Sequence, residues 1–235
     1  MLSMTIKALR NVAVCVLALT VPVLAAKKTT NADKRLKEAD AMLHEIMDAG
    51  DKAVPQDLLD KSQCVVLVPG VKKAAFIVGG KFGRGFVFCR NKGGVGWSAP
   101  ASIKVEGGSV GFQIGGSETD VLMLVLNERG GEKLLSSKFT VGGDASVAAG
   151  PVGRTSSAET DAAMRAEILS YSRARGVFAG VALNGATLRP DDDANRELYG
   201  KDVDNKDVVS GAVPAPAVAQ ALISSLNKYS SRKTN

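Results

Sequence analysis

Residues Ser62–Val105 read SQCVVLVPGVKKAAFIVGGKFGRGFVFCRNKGGVGWSAPASIKV, and this stretch decides the fold. Short apolar, β-branched and aromatic runs (CVVLV, AAFIV, GFVFC, GVGW) are punctuated by glycine. Such a pattern predicts strands joined by turns. The stretch holds seven basic residues, Lys72, Lys73, Lys81, Arg84, Arg90, Lys92 and Lys104, and no acidic one. A β-scaffold whose turns carry uncompensated positive charge suits an anionic surface better than a reaction centre.

Taken as a meander, each apolar run is a separate strand. Turns near Lys72–Lys73 and Arg90–Lys92 then share one end of the sheet, while Lys81 and Arg84 flank the turn at the other. On this reading Lys72, Lys73, Arg90 and Lys92 converge on one anionic group or lipid surface. Each exposed cation near an anionic membrane contributes on the order of 1 kcal/mol. Phe76, Phe82, Phe86 and Trp97 lie nearby, and any that face outward can enter the interfacial region. In the competing reading the lysines protect strand edges and keep the surface soluble.

Upstream, Lys7 and Arg10 precede the apolar run VAVCVLALTVPVL, which ends at Ala25 and Ala26. That order of basic, hydrophobic and small residues is a secretory signal peptide, assigned to residues 1–25. The run falls short of the roughly 20 residues of a membrane span. Removing the leader takes away two cations and lowers the formal charge from +6 to +4. The expectation is an exported protein, periplasmic or secreted. It keeps two cysteines, Cys64 and Cys89, a disulfide pair to be expected in an oxidising compartment. A simple meander places them at opposite ends of strands one and three, so bonding requires another register or strand order.

Residues 26–63 read as helical. Thr30 and Asp33 have capping-box spacing, and Leu36, Met42, Leu43, Ile46 and Met47 share one face. The run VLMLVLN at Val121–Asn127 is apolar throughout and predicts a strand buried on both faces. AEILSYS and GVFAGVALNG, joined by Arg173–Gly176, read as a late hairpin, and a helical turn is expected around Glu132–Ser136. Residues 200–213 look like a linker, and Pro214 and Pro216 open a last helix striped by Val218, Leu222, Leu226 and Tyr229. That helix is free to dock on the body, contact a partner or hang loosely. The fold class is α+β: a glycine-rich antiparallel sheet or barrel flanked by N- and C-terminal helices. The expected division is a domain over 26–200, then a linker and amphipathic helix over 201–235.

Enzyme chemistry finds little support. The one histidine, His44, lies on the first helix beside Leu43 and near Asp40 and Asp48, the setting of a partly exposed helical histidine. GGKFGRG has neither the dinucleotide nor the P-loop glycine spacing. Its glycines read as a tight turn or a close approach of strands. Asp191, Asp193, Asn195 and Asp202 have the 1-3-5-12 spacing of a calcium loop, but Arg196 stands where that loop requires glycine. The alternative is an acid-rich helix N-terminus, favoured by the dipole. No cofactor or metal is expected. Nucleic acid is a poor partner, because aromatics are few and no recognition motif is present.

The segments LVPGVKKAAFIVGGKFGRGFV, GWSAPASIKVEGGSVGFQIGG, DVLMLVLN and DASVAAGPVGR resemble the SYLF-domain family. The resemblance runs from about Leu36 to Leu188 and implies lipid or membrane-surface binding without catalysis. Eukaryotic members are associated with phosphoinositides and actin patches, often beside an SH3 or FYVE module, and many bacterial members are exported single domains. Family lipid binding is linked to basic residues and an amphipathic N-terminal segment. The matching positions are Lys34, Arg35 and Lys37 on the first helix and Lys72 and Lys73 after LVPGV. No SH3 or FYVE module accompanies them here, and the leader points away from cytosolic ligands. The function expected is non-enzymatic binding of anionic phospholipid, with an envelope interaction module, partnered by another protein, as the alternative.

Overall fold

The computed structural model describes residues 29–50, 53–76, 78–110, 115–153, 165–174, 177–180 and 185–230. The leader assigned to residues 1–25 lies outside them, as do the hairpin-turn residues 175–176. Thr30 and Asp33 close a reciprocal capping box that starts helix α1, Asn31–Met47. The backbone N–H of Asp33 donates to Thr30 Oγ1 at 3.1 Å, and that of Thr30 donates to Asp33 Oδ2 at 2.9 Å. The apolar face follows the helical repeat: Leu36, Ala39, Met42, Leu43 and Ile46 are all buried. A short helix α2, Gln56–Lys61, leads into the sheet.

Among the described residues nine strands form that sheet: β1 Cys64–Phe76, β2 Val78–Cys89, β3 Ala101–Val110, β4 Gly115–Val125, β5 Phe139–Thr140, β6 Val147–Ala149, β7 Ile168–Ala174, β8 Val177–Gly180 and β9 Thr187–Pro190. Their order is β5-β9-β3-β2-β1-β4-β7-β6, with β8 on β7. All the pairings are antiparallel except β6 with β7. The sheet curls into a half-barrel. Helices α3 (Glu128–Leu134), α4 (Asp192–Tyr199), α5 (Asn205–Val209) and α6 (Gln220–Tyr229, after a 3-10 turn at Ala217–Ala219) complete the described elements. The α+β class stands, with helices at both ends of the chain.

The first strands differ from the meander. CVVLV and KKAAF are one strand, not two, and so are VGGKF and GFVFC. Pro69–Gly70 is not a turn but a bulge, where the register shifts between Val68 and Val71 against β4. Gly70 adopts φ +59°, a left-handed conformation suited to glycine, and its N–H donates to Asp120 Oδ1 at 2.8 Å. Below the bulge Cys64 faces Cys89 directly, and the two are bonded. One long hairpin thus replaces three strands, which brings the cysteines to the same end.

Two cores follow from strand alternation. Val65, Leu67, Phe86, Phe88, Leu122, Leu124 and Tyr171 face α1, α4 and α6. Val66, Val68, Val87, Ile103, Met123 and Ile168 face the other way, onto Leu134, Phe139 and Val208. The run Val121–Val125 is buried on both sides. Residues 200–213, expected as a linker, contain α5, whose Val208 is fully buried. The last helix is docked: Leu222 and Leu226 enter the first core.

The glycines of GRG serve close strand approach. A Cβ on Gly85 would lie 2.1 Å from Leu67 O and 2.8 Å from Val68 Cα, where the bulged β1 leans on β2. Gly85→Ala should therefore lower stability by about 1–3 kcal/mol in urea unfolding. Gly80→Ala, which meets nothing within 4 Å, should stay within about 0.5 kcal/mol.

Burial raises the hydroxyls of Tyr171 and Tyr199 above their ordinary range. Tyr229 is pushed up to about 12 by burial and then by its bond to Asp48. These groups ionise more readily in the unfolded chain, so their contribution is full below about pH 10. It is lost as pH rises through the folded values. Absorbance titration at 295 nm should show phenolate forming together with unfolding, not before it.

Candidate functional site

The long hairpin separates the four cations that the meander joins. Lys72 pairs with Phe82 on β2, and Arg90 lies eight residues further along. At 3.3 Å per residue the gap is roughly 26 Å. Lys72 and Lys73 therefore do not converge with Arg90 and Lys92.

Arg90 is not a surface cation at all. It is 9% exposed and stacks on Trp97, with the guanidinium 3.7 Å from the ring centroid. It donates to Ser62 O at 3.2 Å, Leu59 O at 3.0 Å, Ser230 O at 2.7 Å and Ser230 Oγ. Trp97 Nε1 donates to the same Ser230 carbonyl at 3.1 Å, and Ser230 Oγ donates to Asp60 Oδ1 at 2.7 Å. Arg90 thus fastens the chain after α6 to α2 and to the base of the hairpin. Lys92 is exposed nearby, on the rim of an open cleft lined by Cys64, Cys89, Glu128 and Glu132.

At the other end the β1–β2 and β3–β4 hairpins finish together, while the β7–β8 turn stops short of them, level with Val71. The β1–β2 connection follows Phe76, the β3–β4 connection follows Val110, and β7–β8 turns after Ala174. Phe82, opposite Lys72, is 48% exposed, and Val177, just after the β7–β8 turn, is 61% exposed. Lys73 lies directly opposite Lys81, and the flanking positions in that row are Ser117 on β4 and Gly107 on β3. Two cations therefore face each other with no acid in the row. Burial, and then Lys73, hold the Lys81 ammonium below the ordinary lysine range. Lys72, on the opposite face, has Glu118 beside it on β4.

Among the α1 cations, Lys34 and Lys37 are exposed on the solvent side, while Arg35 turns toward the sheet. Burial and the neighbouring Arg84 pull the Arg35 guanidinium below its usual range, against Asp191, Glu38 and Glu197. The calcium spacing does not become a site. Asp191 is buried and caps α4, with its Oδ2 3.3 Å from Arg84 Nε. Asn195 is also buried: its Oδ1 accepts from Ser102 N, and its Nδ2 donates to Asn205. Asp193 and Asp202 both pair with Arg196. The acid-rich helix start is what forms. His44 joins α1 to α6 through Tyr229 Oη at 2.8 Å and Ser225 Oγ at 3.0 Å.

The family described as Ysc84, Las17-binding protein actin regulator, matches residues 106–229, more than half of the chain. The chain belongs to the Ysc84, or SYLF-domain, family. It is 37% identical over 180 residues to an SH3 domain-containing protein of Schizosaccharomyces pombe, covering 75% of this chain and 41% of that one. It is 31% identical over 212 residues to SH3 domain-containing YSC84-like protein 1 of Homo sapiens, covering 88% and 61%. With LAS seventeen-binding protein 3 of Saccharomyces cerevisiae it shares 35% over 173 residues, 72% of this chain and 37% of the relative. The chain thus spans 37% to 61% of the length of these relatives. The SYLF match runs to Tyr229, so α5 and α6 fall inside the family domain together with β4–β9.

Arg90 carries the charge expected of a surface-binding residue, yet its surroundings are structural. Arg90→Met should cost about 3 kcal/mol or more, because the buried acceptors it satisfies would be left bare. The matching measurement is urea unfolding, and vesicle binding of the folded variant should be unchanged.

Proposed function

We propose that this SYLF domain binds anionic phospholipid surfaces without catalysis, through the end of the sheet where the β1–β2 and β3–β4 hairpins finish. One observation carries the reading: Lys73 and Lys81 stand opposite one another near the hairpin tips, with no acid in their row and exposed Phe82 in the next. Opposed like charges destabilise a sheet, and an anionic surface turns that cost into attraction. The chain near the connections is apolar in sequence, with Phe76 and Val78 in one hairpin and Val110 in the next. Apolar tips backed by lysines suit the boundary between headgroups and acyl chains. Lys72, Lys34 and Lys37 add general attraction, whereas Arg90 has no part in it. The leader at residues 1–25 would deliver the domain to the cell envelope, where phospholipid is the available anion.

Three lysines at about 1 kcal/mol each are worth roughly 100-fold in affinity. Lys72→Gln, Lys73→Gln and Lys81→Gln combined should therefore cut co-sedimentation with phosphatidylglycerol vesicles by about that factor. Binding of the unaltered protein should weaken as salt rises from 50 to 300 mM. Undiminished binding by the triple variant would sink this assignment.

The family description favours a second reading, a protein-interaction module, since a relative is named for binding Las17. Here the apolar stripe of α6 is already packed on α1, so a partner would use another surface. Capture of a defined envelope protein by the triple lysine variant, with no vesicle binding by the unaltered protein, would support that reading over the first.

A further inference from the structure

A second group of cations lies in direct register on the other face of the sheet. Arg84 on β2 is opposite Lys104 on β3, and Lys104 is opposite Arg189 on β9. Directly opposed residues share a face, with Cβ atoms about 5 Å apart. Ile103, Val105 and Leu188 point into the second core, so Lys104 and Arg189 project from the face that carries α1. Three cationic side chains thus stand side by side, and α1 brings Arg35 up to Arg84.

The acids present do not cancel the row. Asp191 engages Arg84 at 3.3 Å, and Glu106 lies 3.9 Å from Arg189, at the limit of an ion pair. Glu38 and Glu197 act on Arg35 from the helices, and Glu197 also accepts from Ala32 N. Lys104, in the middle, has no ion-pair partner among the described residues. The row is open to solvent: the Arg84 side chain is 34% exposed and that of Arg189 is 45%. A sheet that sets three like charges in register loses stability by it. The arrangement makes physical sense with an anion in place.

We propose that Arg84, Lys104 and Arg189 form a binding site for a phosphate group on the sheet face beside α1. Two guanidinium forks flanking an ammonium match a tetrahedral oxyanion, each fork able to engage two oxygens and the lysine acting as a point charge. The site is distinct from the hairpin-end pair. Lys81 and Arg84 are three residues apart on a regular strand, so they point to opposite faces, roughly 10 Å apart along β2. The proposal therefore does not rest on membrane binding. A free phosphomonoester and a lipid headgroup phosphate offer the same chemistry.

The test titrates the protein with inorganic phosphate, using sodium chloride at equal ionic strength as the control, and follows backbone amide shifts. Saturable shifts at Gly83–Gly85 and Ile103–Val105 are expected with phosphate alone. Lys104→Met should weaken them at least tenfold, and Arg189→Gln should do so several-fold. Lys73→Gln with Lys81→Gln should leave them unchanged. Lys104→Met removes repulsion, so its thermal midpoint should equal or exceed that of the unaltered protein, which separates lost binding from lost folding. In a second arm, vesicles containing phosphatidic acid (a phosphomonoester) are compared with phosphatidylglycerol vesicles (a phosphodiester) at equal surface charge. Loss of phosphatidic acid binding in Lys104→Met assigns a headgroup source, and loss confined to soluble phosphate assigns a free anion. Responses to phosphate no larger than to chloride, with no phosphatidic acid preference, would overturn the site. So would unchanged binding in both Lys104→Met and Arg189→Gln.

Discussion

Antiparallel pairing of β1 with β2 sets Cys64 against Cys89 at one end and Phe76 against Val78 at the other, with a single interruption at Pro69–Gly70. Every other part of the molecule takes its position from that register. It places Phe86 and Phe88 under α1, and Gly83 and Gly85 under the bulge. The bulge presents the Gly70 N–H to Asp120, which also receives Arg173 Nε at 2.8 Å. Arg173 in turn contacts Glu45 of α1. A chain of charge therefore runs from the kink in β1 to the helix lying across the sheet. A slip of one residue would turn both phenylalanines, and Arg84 with them, toward the second core.

Local rules carried much of the fold and little of the site. The capping box of α1, its apolar face, the doubly buried Val121–Val125 and the late hairpin all follow from neighbours a few residues apart. Pro69–Gly70 shows where such rules stop. Proline and glycine mark turns and bulges alike, and only the partner strand decides between them. Here β4 supplies Asp120, 50 residues away, to hold the Gly70 N–H, and the strand continues. Reading a turn there moved Lys72 and Lys73 to the wrong end. The GRG glycines read equally as a tight turn or a close approach of strands, and the contacts of Gly83 and Gly85 with β1 decide for close approach.

The cations of the acid-free stretch Ser62–Val105 are clustered in sequence and dispersed in space. Arg90 is buried against Trp97, Lys73 and Lys81 face one another behind the hairpin connections, and Arg84 and Lys104 stand on the reverse face with Arg189. Alternation explains the division. Along β2, odd and even positions serve different surfaces, so neighbours in sequence such as Lys81 and Arg84 have no common ligand. Arg189 carried no signal of its own, because its place beside Lys104 depends on an 85-residue excursion that ends in β9.

The fastening of Arg90 to Ser230 also constrains the order in which the molecule can come together. Leu59 and Ser62 supply acceptors from earlier in the chain, but those of Ser230 sit 140 positions later. During synthesis the hairpin is made early, yet the arginine at its base keeps an incomplete set of acceptors until the last helix exists. The final turn of α6 is therefore a closing step rather than an appendage. A ribosome-bound chain lacking those last residues would hold β1 and β2 without the bond that seats Trp97 beneath them.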